Sequence, residues 1–154
     1  MSFSAPTATM PLTGPDRPFL VSENSTDPGW MEPADLPADW ILDGNPSPRM
    51  RMMTCSQDFT LMSGIWHCSA GRFNFHYYSD ETVHLISGGV TVTVDGHSER
   101  LGPGSSAYFP RGIVALWEVD DHVHKYFVQR TPSRVQRVVR RMTGLLPGTG
   151  QAAR

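Results

Sequence analysis

Between Met50 and Gln129 the chain alternates apolar and polar residues in short runs broken by turn formers, the period of half-buried strands. Met50–Thr54 and Thr60–Cys68 are apolar runs on either side of a polar Ser56-Gln57-Asp58 turn. Arg72–Tyr77 places Phe73, Phe75 and Tyr77 on one face and Arg72, Asn74 and His76 on the other. Glu81–Ser87 leads into Gly88-Gly89, which predicts a two-residue hairpin to the alternating Val90, Val92 and Val94. Asp95-Gly96 marks the next turn, and Ser105–Pro110, Ile113–Val119 and His122–Gln129 complete the set. Turns at this spacing predict an all-β sandwich or barrel.

The period changes on both sides. Beyond Thr131-Pro132, the residues Val135, Val138, Val139, Met142, Leu145 and Leu146 fall on one face of a 3.6-residue repeat. This predicts an amphipathic C-terminal helix over 131–147, with Thr131 as N-cap, followed by a tail at 148–154. Residues 1–48 are rich in Pro, Asp, Ser and Thr, with apolar anchors at Trp30 and Trp40. They read as an extended arm, disordered at its tip, whose tryptophans need cover from the barrel of 49–130 or from a second copy.

Charge sharpens this picture. Residues 1–121 carry a net −9 and residues 122–154 a net +7. The basic tail either docks on its own acidic domain or a partner subunit, or meets nucleic acid. Its fully apolar opposite face argues for docking. With two cysteines there is no disulfide framework, and no CxxC spacing suggests zinc. No run suits a transmembrane span or a secretion signal, so the expected compartment is the cytoplasm, without membrane partners.

The motif spacing resembles the cupins. Gly71, Asn74, His76, Glu81 and Gly88 follow the first cupin motif, and Gly104, Pro110, Gly112 and Ala115 follow the second. Gly64-Ile65-Trp66-His67-Cys68, Asp80-Glu81-Thr82-Val83-His84, Pro110-Arg111-Gly112 and Trp117-Glu118-Val119 resemble a single-domain subfamily that includes ureidoglycine aminohydrolase and the ethanolamine-utilisation cupins. The resemblance implies a double-stranded β-helix (jelly-roll) barrel and a homodimer. It also implies a divalent metal (Mn, Fe, Ni or Zn) held by histidines and a glutamate. Here Asn74 and Ala115 replace two of the expected histidines, leaving His76 and Glu81 as candidate ligands.

The expected chemistry is work on a small polar or aromatic molecule inside the barrel, by isomerase, lyase, cyclase or hydrolase steps. Glu81 is the candidate acid/base, His76 its partner, and Trp66, Phe75, Tyr77, Trp117, Tyr126 and His124 the candidate pocket lining. The alternative is a non-catalytic, metal-free binding or sensing cupin. His122 and His124 either supplement the interior or sit as ordinary histidines beside Asp120 and Asp121, and His84 is out of phase with Glu81. Lys125, the sole lysine, is either a Schiff-base amine or a member of an ion pair or strand edge. Cys68 reads as a buried apolar residue.

Overall fold

The computed structural model describes residues 27–132 of the chain. The predicted C-terminal helix and the tip of the arm lie outside them. Nine strands carry the fold: β1 (Glu32–Pro33), β2 (Ile41–Gly44), β3 (Pro48–Cys55), β4 (Leu61–His76), β5 (Asp80–Gly88), β6 (Val90–Val94), β7 (His97–Leu101), β8 (Ser106–Phe109) and β9 (Val114–Arg130). Two single-turn 3₁₀ helices, Pro28–Trp30 and Ala38–Trp40, punctuate the arm.

The sheet is antiparallel throughout, in the order β1-β3-β4-β9-β5-β8. β2 joins β4, and β6 pairs with both β7 and β9. β4 and β9 run together for almost their whole length and form the spine of a jelly roll. Their first and second halves belong to different layers. Leu61–Ser69 lies between β3 and the far half of β9, while Gly71–His76 lies between β2 and the near half. The sheet does not close into a complete barrel, since β1 and β8 remain as ends of the path.

Two expectations change here. The strands read as 60–68 and 72–77 are one strand, as are those read as 113–119 and 122–129. The interruptions at Ser69-Ala70 and Asp120-Asp121 are a register shift inside a continuous ladder, where a bulge bends the strand without ending it. Nor is Gly88-Gly89 a hairpin. β5 and β6 do not pair with each other, and both lie antiparallel along β9. The chain instead steps from one layer to the other, with Gly88 at φ +71. A Cβ there would stand 2.0 Å from the His122 carbonyl oxygen, so the glycine serves a close approach and not a tight reversal.

The alternation sorts side chains as the pattern predicts. Trp66, Phe73, Tyr77, Val83, Leu85, Val92, Phe109, Trp117, Val123 and Phe127 fill the interior, most of them fully buried. Full removal of such side chains from water is worth about 1.5–3 kcal/mol each for the aliphatic and phenyl groups. A smaller cluster of Met31, Met53 and Ile65, with Ile86 and Tyr126 against it, occupies the opposite face of the sheet. The arm crosses this outer face, held by Arg49 donating to the Met31 carbonyl and Arg51 donating to that of Trp30. Trp30 lies under the Arg51 guanidinium and is still 46% exposed, whereas Trp40 packs on Phe75 and His76.

Candidate ligand site in the barrel interior

Glu81 and Lys125 occupy core-phase positions. Glu81 opens the alternation Glu81, Val83, Leu85 on β5, and Lys125 sits between Val123 and Phe127 on β9. Both side chains are only 2% exposed. Lys125 Nζ donates to Glu81 Oε1 at 2.6 Å, and Gln129 Nε2 donates to Glu81 Oε2 at 2.7 Å. Taking two opposite charges out of water is tolerable only when each finds partners, and both carboxylate oxygens have one here. The ammonium also lies over the rings of Trp117, Trp66 and Phe75, at 4.7, 5.1 and 5.3 Å from their centroids. Ring faces attract a cation most strongly where water is absent.

Tyr77 completes the interior site. Its ring stacks on Phe109 and touches Phe75, and its hydroxyl is buried without a hydrogen-bond partner. Burial, with the nearby Glu81 carboxylate second, pushes the phenol well above its usual range, so it stays protonated. The Trp117 indole N–H approaches this hydroxyl without meeting hydrogen-bond geometry and is itself unpartnered. Two buried polar groups thus stand unused beside a carboxylate–ammonium pair. The turn over them is tied down by Gly112 N to Tyr77 O (2.7 Å), Tyr77 N to Ile113 O (3.0 Å) and Arg111 N to Asp80 Oδ1 (3.1 Å).

The structure brings Trp66, Tyr77, Trp117 and half-buried Phe75 together around Glu81, as the alternation predicts. It does not bring His76 to Glu81. The His76 ring stacks on Trp40 at 4.6 Å, on the opposite side of β4 from Phe75's inward neighbours. His124 and Tyr126 alternate with Lys125 and therefore face outward, Tyr126 onto the Ile65 cluster and His124 beside His67. Glu118 pairs with Arg72 at 3.1 Å near the surface, and His84 is exposed, bonded to Ser106. Cys68 is fully buried, and desolvation raises its thiol to about 12.

Lys125 belongs to an ion pair and lies on a central strand, not on an edge. The signal that locates it was present in the sequence, since a lone lysine in phase with Val123 and Phe127 must find a counter-charge at another core-phase position. Glu81 is that position. Gln129 carried no comparable signal, because only the β5–β9 register puts it opposite Glu81.

These residues do not fit a divalent metal. An ammonium already neutralises Glu81, His76 is held by Trp40, and Ala115 offers no donor. Among the described residues no group of three His, Cys, Asp or Glu side chains is placed to hold an ion. Two open depressions lie outside the interior, one near Asp43, Arg72 and Glu118, the other near Leu61, Tyr108 and Arg130.

Residues 55–127 match the EutQ-like cupin domain. Among solved structures, the chain is similar to the EutQ protein of Clostridium difficile, with a TM-score of 0.50 and 17% identity over 56% of this chain and 64% of that one. It is also similar to a DUF861-family protein of unknown function from Pseudomonas syringae pv. tomato, at TM-score 0.60 and 20% identity, covering 64% and 43% of the two chains. The cupin domain of Schizosaccharomyces pombe Cnp3 aligns at TM-score 0.50 and 12% identity, covering 67% and 75%. The chain thus spans less than two thirds of the length of the first two, and at these identities the likeness is one of fold. No functionally curated protein matches the sequence. No helix among the described residues is long and apolar enough to cross a membrane.

Proposed function

We propose that this cupin domain binds a small polar or aromatic molecule within its jelly roll, and that the Glu81–Lys125 pair handles the ligand's polar group. The supporting observation is the buried Lys125–Glu81–Gln129 chain lying beside the unpartnered hydroxyl of Tyr77. A carboxylate and an ammonium in contact can trade a proton, which is the step that isomerase, lyase and hydrolase chemistry shares. In this reading Glu81 takes a proton from the ligand, Lys125 supplies one, and Tyr77 and Trp117 donate to its oxygens. Trp40, which lies edge-on to half-buried Phe75, forms the cover over the interior and moves when ligand enters.

A screen of small carboxylates, aldehydes, amines and aromatic acids by thermal shift tests this. The reading expects a stabilising compound whose effect is abolished by both Glu81→Gln and Lys125→Met. No stabilising compound, or one indifferent to both substitutions, overturns it. Because both Glu81 oxygens are already engaged, non-catalytic binding is a second reading, separated by whether the compound found is also turned over.

A further inference from the structure

Five buried side-chain nitrogens and oxygens among the described residues have no hydrogen-bond partner, and they gather in two places. Tyr77 and Trp117 belong to the interior. The other three, Arg49 Nε, His67 Nδ1 and His124 Nε2, lie on the opposite face of the sheet. They come from three neighbouring strands at one level. The register pairs Arg49 of β3 with His67 of β4, His67 with His124 of β9, and His124 with Ser87 of β5. With strands about 4.8 Å apart, Arg49 and His124 flank His67 on either side, and the His67 and His124 rings lie 6.0 Å apart. His122 is stacked on His67 with centroids 5.7 Å apart.

The charge at this level is one-sided. Arg49 faces His67, and His122 and His124 come from β9. Among the described residues the acid beside His67 is Asp121, itself 91% exposed and bonded to His122 at 2.7 Å. Arg72 of β4 pairs with Glu118, and Arg100 of β7 pairs with Asp120. Among the described residues Arg49 donates to the Met31 carbonyl, and its Nε donor is unused. An arginine Nε is always a donor, so an unpartnered one in a buried position marks a missing acceptor. Burial, together with the neighbouring His122 and Arg49, depresses His67, and burial with His67 and His122 depresses His124. An anion set among them opposes the repulsion from the neighbouring His122, Arg49 and His67, which is the electrostatic part of those influences.

We propose that Arg49, His67 and His124 form a binding site for a small inorganic-type oxyanion, sulfate or phosphate in size and charge, separate from the barrel interior. Arg49 Nε, His67 Nδ1 and His124 Nε2 donate to its oxygens. His122, whose bond to Ser87 Oγ is long at 3.3 Å, lies on the open side, and the Trp30–Met31 stretch of the arm forms the opposite rim. The three donor atoms are buried, so the occupant they suit is a small ion.

Sulfate is the first probe because its charge is constant near neutrality, with chloride at matched ionic strength as reference. We expect saturable stabilisation of the wild-type chain. Each histidine that must take up a proton tightens binding by about tenfold per pH unit above its own pKa. Two such residues predict a gain between about tenfold and a hundredfold from pH 7.5 to 6.5, with proton-linked NMR shifts confined to His67 and His124. His67→Gln and His124→Gln abolish the saturable component, and Arg72→Gln, on the far bend of β4, leaves it intact. A wild-type response that does not saturate, is flat with pH, or survives both histidine substitutions overturns the proposal. The wild-type pH profile decides alone if a variant fails to fold.

Discussion

Lys125 pulls in two directions. Its ammonium is stabilised by Glu81 and three aromatic faces, yet each partner would be left as an uncompensated buried charge without the other. Lys125→Met alone is therefore expected to cost about 3–5 kcal/mol in urea unfolding, as is Glu81→Leu alone. The double replacement should recover most of the loss, and a double-mutant cycle measures the coupling. Single losses that simply add would show that the pair is not a unit. Much of this site was legible residue by residue: Glu81 from its motif spacing, and Trp66, Phe75, Tyr77 and Trp117 from their strand phase. His76 was misplaced because motif spacing locates a backbone position and is blind to Trp40, which arrives from a different part of the chain and captures the ring.

At the scale of elements, periodicity located the core strands but missed β1, β2 and β7, and it did not show how the strands join. Alternation is a property of one strand and carries no information on its partner, so Gly88-Gly89 looked like a hairpin when it is a crossing between layers. The same ambiguity split β4 and β9, since a bulge and a turn draw on the same small and polar residues. Gly88→Ala discriminates the two. In a hairpin loop, alanine would cost only a modest backbone penalty, whereas here its methyl meets the His122 carbonyl. The expected loss is about 2 kcal/mol or more, read from the urea midpoint at unchanged m-value. A loss under about 0.5 kcal/mol would mean the crossing is loose.

Across the whole molecule, the outer sheet face ties stability to pH. His67 and His124 hold protons less readily folded than their ordinary value of 6.5, so the unfolded chain binds more protons as the solution acidifies. Stability should be undiminished above about pH 7 and fall progressively below 6.5, seen as a dropping melting temperature between pH 7 and 5. His124→Gln should flatten that decline. A profile equally steep in the variant would place the sensitivity elsewhere. The fold class was legible in the sequence because turn spacing and strand phase are local. The polar rung of Arg49, His67 and His124 was not, because it exists only once three strands are in register.

The burial of Lys125 has a practical corollary. It is the only lysine in the chain, so apart from the α-amino group the sequence offers a single primary amine, and folding hides it. Acylating reagents should leave it untouched in the native state and modify it only when the core opens. The rate of its labelling by mass spectrometry then becomes a clock for global unfolding under native conditions. Labelling as fast as that of a free lysine peptide would reveal an interior already open to water.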